Sequence, residues 1–201
     1  MDYSKIKKYI DCCDIKAVEL FDLNTSRILY NPTIKQHREI RIISGVEEIV
    51  RAYILTKLVN ELGYRCENIE IEKEYDIGRP KTNKPRIDVI VRDNRGDAFL
   101  YIELKSPEDY EKDQDEIIEK QLFNLASQEK GQGKNVKYLV LYTFDITSKD
   151  IKDRCILIDY NKFSSFETWT EKRDSSDELP LRYGKAQKEP FIKGGKKDLD
   201  T

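Results

Sequence analysis

Apolar positions along the chain follow two rhythms, one of about 3.6 residues and one of two. The longer rhythm is plainest from Ser44 onward. In "SGVEEIVRAYILTKLVNELGY" the residues Ile49, Val50, Tyr53, Ile54, Leu58 and Leu62 recur at helical spacing, which predicts an amphipathic helix. Ser44 followed by Glu47 three residues on reads as a capping box, and Gly63 as the stop. A shorter helix is predicted over 3–12. The two-residue rhythm, or a plain apolar run, predicts strands in "KAVELFDL" and "RILYNP" around the turn signal Asn24-Thr25-Ser26, and a short one in "EIRIIS". Further strands are predicted over 68–77, 87–91, 98–105, 136–143 and 155–160, with "DNRGD" as a turn and a polar helix over about 108–129 after Ser106-Pro107.

From residue 44 to 143 the order is helix, three strands, helix, strand. Hairpin-linked strands followed by a crossover helix predict an α/β domain with a central mixed β-sheet flanked by helices, α-β-β-β-α-β. Residues 1–40 are expected to be an extension packed on the core, 41–170 the main domain, and 171–201 a polar tail or linker towards a further module that this chain does not hold. Hydrophobic residues make up 38% and charged residues 37%, and no apolar run approaches the roughly 18 residues that span a bilayer. The first residues lack the apolar stretch of a signal peptide. The expected setting is the cytoplasm, with no membrane partner.

Chemistry narrows from there. Cys12, Cys13, Cys66 and Cys155 have no metal-ligand spacing and read as reduced thiols. His37 is the single histidine, so a histidine triad or histidine-rich metal site is excluded. A metal would be held by carboxylates, which suit Mg²⁺, Mn²⁺ or Ca²⁺. The net charge of −2 gives no global basic footprint, so nucleic acid would have to be met by local basic patches.

One strand breaks the rule that apolar strands exclude charge. "FLYIELKSP" carries Glu103 and Lys105 two positions apart. Alternation places Leu100, Ile102 and Leu104 on one face, and Phe99, Tyr101, Glu103 and Lys105 on the other. On the preceding strand Ile87, Val89 and Val91 share a face and Asp88 lies opposite. Pairing across the turn near 94–97 brings Asp88 close to 101–103. Two carboxylates so placed raise each other's pKa, a cost that a divalent cation removes. Asp88 and Glu103, with the Leu104 carbonyl, form a candidate Mg²⁺ site (Mn²⁺ as an alternative), and Lys105 would orient or deprotonate a water attacking a phosphodiester. An exposed sheet face with a surface ion pair would give the same letters. The acid-x-lysine pattern also occurs at Asp14-Ile-Lys16 and Asp150-Ile-Lys152, but only the middle copy sits in a strong strand with an aspartate at hairpin distance.

The ordered set "VEEIVR" (46–51), "LGY" (62–64), "RIDV" (86–89), "ELKS" (103–106) and Gln121 resembles the PD-(D/E)xK nuclease superfamily. More narrowly it resembles the N-terminal nuclease domain of type I restriction enzyme R subunits and related restriction-modification proteins, over about residues 40–145. Val46 stands where that pattern has proline, and Leu125 where it often has tyrosine. The resemblance implies a restriction-endonuclease-like core and Mg²⁺-dependent cleavage of DNA. Asp88, Glu103 and Lys105 would be central, and Glu47 and Gln121 would assist. It also implies motor, methyltransferase and specificity partners, with ATP entering only through a motor absent from this chain. Glu47 is equally a capping residue, Glu48 a solvated residue or a partner of Arg51, and Gln121 a surface polar residue. Arg79, Lys81, Lys84 and Arg86 flank the Asp88 strand, as either a solvated loop or a set of DNA phosphate contacts. His37 reads as a surface residue, and Phe166 and Trp169 as packing residues. Two rival functions remain open: a non-catalytic module of the same fold that binds DNA or subunits, and a structure-specific or RNA-directed nuclease.

Overall fold

The computed structural model describes residues 2–75 and 84–182. Helix α1 (Ser4–Cys12) leads into a hairpin of β1 (Val18–Asp22) and β2 (Arg27–Tyr30), then a two-residue strand β3 (Lys35–Gln36). Next come helix α2 (Val46–Asn60) and strands β4 (Ile69–Glu74), β5 (Arg86–Arg92) and β6 (Ala98–Leu104). A helix in three parts follows: α3 (Gln114–Ile117), a π-helical segment (Ile118–Phe123) and α4 (Asn124–Gly131). Strands β7 (Val136–Ile146) and β8 (Ile151–Asp159) and helix α5 (Phe166–Thr170) complete it.

The six strands β3 to β8 lie in sequence order in one sheet, with β3–β4 and β6–β7 parallel and the other pairs antiparallel. The sheet is mixed because the parallel pairs β3–β4 and β6–β7 are joined through α2 and through the three-part helix, whereas β5–β6 and β7–β8 turn back directly. Apolar side chains fill both sides. One cluster joins Val89, Leu100, Ile102 and Val140 to α1, α2 and the hairpin. The other joins Ile90, Tyr101, Leu139 and Ile158 to the three-part helix and α5. This is the α/β arrangement expected, a central mixed sheet flanked by helices. No helix among the described residues is long and apolar enough to cross a membrane.

Several local expectations give way to tertiary context. The capping box does not form: Gly45 is the N-cap of α2 and no side chain caps it, so Glu47 and Glu48 sit in the first turn, where the helix dipole favours acids. "EIRIIS" is not a strand. It makes one bridge, Arg27 to Ile42, because the large sheet takes the shorter Lys35–Gln36 as its edge. The polar helix starts at Gln114, not near 108, because Ser106 and Asp109 close a turn first. Phe99 leaves the Tyr101 face for the α2 side, since the pairing slips between Val91 and Arg92 and leaves it in a bulge. Glu72 adopts φ +57°, a left-handed turn inside β4 opposite Asp88, and beyond it Ile87 packs with Tyr75 and Tyr101 instead of Val89. The stretch read as a tail from 171 stays on the domain as far as Arg182. Ser176 bridges Leu157, and Arg182 donates its N–H to the Leu62 carbonyl at 2.9 Å.

Candidate active site

The candidate residues meet where β5 begins and β6 ends. Antiparallel pairing of Val89 with Ile102 sets Asp88 beside Glu103. The Leu104 N–H donates to Asp88 Oδ2 at 2.8 Å, which fixes the aspartate against β6. Glu103 is 4% exposed. Lys105 Nζ donates to Glu103 Oε1 at 2.7 Å and lies 4.0 Å from Glu47 Oε1. The Gln121 amide lies between Lys105 and Glu103. In one amide orientation its oxygen is 3.4 Å from Lys105 Nζ; in the other, the nitrogen takes that same position and donates to Glu103 Oε2 at 3.3 Å and also to Oε1, in place of the Lys105 contact. Gln121 is carried by the π-helical segment; such a widened turn rotates one side chain relative to an α-helix and is frequent at functional sites. Asp88, Glu103, Lys105, Gln121 and the half-exposed Glu47 are thus brought together.

Burial pushes Glu103 well above the ordinary carboxylate range, and the negative charge of Asp88 pushes it further; Lys105 offsets only part of this. Burial acts on Lys105 in the opposite sense, but Glu103 beside it prevails and holds the ammonium above its usual value, hence protonated at neutral pH. Burial also raises Glu47. Negative charge here is undercompensated.

Behind Asp88 lies a network of which the sequence pattern offers one contact, the pairing of Glu48 with Arg51. Arg51, 4% exposed, reaches three carboxylates: Glu48 at 2.5 Å, Glu72 at 2.5 Å and Asp88 Oδ1 at 2.8 Å. Tyr30 donates its O–H to Glu48, and Arg86 Nε lies 3.0 Å from Glu72. Glu48 is therefore a buried partner of Arg51 and not a solvated residue. A signal existed: a glutamate and an arginine three apart, followed on the same helical face by Leu55 and Leu58, mark a charged pair on an apolar stripe. Nothing in the sequence pattern foretold Glu72, whose burial depends on its left-handed backbone.

Two adjoining cavities, of about 820 and 610 Å³, share Arg38, Glu47, Arg86 and Asp88 in their linings. Lys84 lines the smaller one. Arg79 and Lys81 lie outside the described residues. His37 pairs with Glu70 at 2.8 Å, and Phe166 and Trp169 pack on Phe123, as expected of packing residues. Among the described residues all four cysteines are free thiols, and no three His, Cys, Asp or Glu side chains form a metal cage. The donors that the structure brings together are two neighbouring carboxylates, Asp88 and Glu103, to which the sequence reading adds the Leu104 carbonyl. All are oxygen atoms, few enough to leave room for water, and this fits Mg²⁺, which keeps several waters and takes one or two carboxylates.

Residues 46–167 match the family described as the type I restriction enzyme R protein N terminus (HSDR_N). No curated protein matches the chain. The chain belongs to that family.

Proposed function

We propose that this R-protein N-terminal domain is the nuclease of a type I restriction-modification system, a Mg²⁺-dependent endodeoxyribonuclease. The observation that carries the reading is the convergence of Asp88, Glu103 and Lys105 at one sheet end, with the Glu103 charge buried and undercompensated. Buried acids held in that state are a feature of active sites. Asp88, Glu103 and the Leu104 carbonyl would hold the metal, which when bound stabilises charge on the scissile phosphate and makes water more acidic. Lys105 brings a protonated ammonium to the same point, where it hydrogen-bonds the developing anion. Gln121 orients Glu103 by donating its amide N–H to the carboxylate. Arg51 keeps Asp88 against β6. Base recognition is assigned to other subunits or domains of the system, and ATP to its motor.

The test is plasmid cleavage with Mg²⁺ or Mn²⁺ by the wild type, Asp88→Ala and Lys105→Ala, together with calorimetric titration of the metal. Metal-dependent nicking lost in both variants, with metal binding lost in Asp88→Ala, is expected. Metal binding that survives Asp88→Ala, or no binding by the wild type, overturns the reading and leaves a non-catalytic module.

A further inference from the structure

The match to the family begins at residue 46. One wall of the cleft is nevertheless built from residues before that point. The His37 N–H donates to the Ile71 carbonyl at 3.1 Å, extending β3 along the edge of the large sheet. The Ile40 N–H donates to Gln36 Oε1 at 3.2 Å. The Arg41 carbonyl accepts from the Ile28 N–H at 3.1 Å, and the Ile43 N–H donates to the Ser26 carbonyl at 2.9 Å. Residues 38–43 are therefore tied to β4 at one end and to the β1–β2 hairpin at the other. The segment is a fixed wall.

Arg38 is exposed on that wall and lines both cavities together with Asp88 and Glu47. Most other cations lining them are engaged by carboxylates: Arg51 by three, Arg86 by Glu72, Lys105 by Glu103 and Arg41 by Glu39. Arg38 makes no ion pair or side-chain hydrogen bond among the described residues. A cleft lined by Glu47, Glu72, Asp88 and Glu103 repels a polyanion, so a nucleic acid strand needs an uncommitted cation at its mouth. A guanidinium offers a planar fork that matches two phosphate oxygens, and one on a fixed segment loses little freedom on binding.

We infer that Arg38 clamps a backbone phosphate of duplex DNA over the site, a contact contributed by the segment that precedes the family-matched region. The assignment rests on the cleft being a DNA site. It is tested by fluorescence anisotropy of a labelled duplex with the whole chain, in Ca²⁺ in place of Mg²⁺, across a salt titration. The variants are Arg38→Ala, Arg38→Lys and Arg95→Ala, the last in the turn after β5 and paired with Asp93. Removing one phosphate contact lowers the slope of log K against log salt by about 1, uniformly across sequences, and weakens binding about 3- to 10-fold near 0.1 M salt. Arg38→Lys is expected to keep the slope, and Arg95→Ala to match the wild type. An unchanged slope in Arg38→Ala, an equal loss in Arg95→Ala, or no duplex binding by the wild type overturns it. A slope change in a protein that binds no divalent metal sustains Arg38 and removes the catalytic reading. Cleavage with an unchanged slope does the reverse.

Discussion

Arg51→Met removes the cation that three carboxylates share. The side chains of Arg51, Glu48 and Glu72 are 5, 7 and 6% exposed, so the acids left behind cannot regain hydration without opening the fold. Each keeps one partner: Tyr30 for Glu48, Arg86 for Glu72 and the Leu104 N–H for Asp88. Three charge-assisted hydrogen bonds at roughly 1.5–3 kcal/mol each would sum to more, but they are not independent, and the surviving partners soften the loss. Removing one member of a buried charge set costs about 3–5 kcal/mol, a large part of the roughly 5–15 kcal/mol that holds a domain together. With a urea slope of about 2 kcal/mol per molar, the midpoint should fall by about 2 M. Trp169, the single tryptophan, is 2% exposed and lies in the cluster across the sheet, so its fluorescence reports global unfolding. The deficit should shrink at pH 5, because protonation can discharge acids that burial already makes hard to ionise, Glu48 among them. Arg51→Lys keeps the charge and loses the fork, and should lie between wild type and Arg51→Met. A midpoint shift under about 0.5 M at pH 7, or an equal deficit at both pH values, refutes this account of the network.

Two buried glutamates should respond oppositely to neutralisation. Glu103→Gln should stabilise the metal-free protein by about 0.5–2 kcal/mol at pH 7 while abolishing the rise in melting temperature that Mg²⁺ gives the wild type. Because Glu103 is raised in the fold, its unfavourable contribution grows as pH climbs above about 4.3, so the two proteins should converge in acid. Glu129→Gln should instead destabilise by about 2–4 kcal/mol at pH 7, since Glu129 is lowered in the fold and contributes stability that is lost as pH falls; urea titrations of both variants at pH 5 and 7 decide, and the same sign for both would be fatal. Deleting Lys120, exposed in the π-helical segment, should restore α-helical register and swing Gln121 from Glu103 and Lys105, lowering cleavage at least about 10-fold with under about 1 kcal/mol change in stability. Full cleavage by that deletion would remove Gln121 from the site.

The hairpin that carries the candidate site is legible because its signals are local. Apolar alternation defines β5 and β6, "DNRGD" turns between them, and hairpin pairing then sets the distance from Asp88 to Glu103. What is not legible depends on distant chain. The burial of Glu72 needs a left-handed residue inside a strand, which no pattern of glutamates announces. The place of Phe99 depends on a one-residue slip against Arg92. The turn at Ser106–Asp109 uses residues that equally well begin a helix, and the letters alone do not choose between the two. Arg38 is invisible for the same reason, since its role is set by β4 and the hairpin, 30 residues ahead and about ten behind.

The two ends of the sheet show what distinguishes a stabilising buried acid from a reactive one. Glu129 is fully buried, yet its carboxylate is bound by Lys73 and Arg92, each at 2.5 Å, and by the Tyr75 O–H at 2.6 Å. These partners overcome burial and the carboxylate ends below its ordinary range. Glu103 is nearly as buried, but it faces one ammonium against the charges of Asp88 and Glu47, and it ends above that range. Glu129 thus has two cations and a hydroxyl in reach where Glu103 has one ammonium and two facing carboxylates, and the supply of charge is one part of the difference. A fold able to compensate Glu129 so fully has the means to compensate Glu103; leaving it short is tolerable if another cation arrives on binding. Beside Glu103, the nearly dry Arg51 network is a support: Arg51 bonds Asp88 Oδ1 and the Leu104 N–H bonds Oδ2, so Asp88 is held in place while Glu103 is left in need of charge.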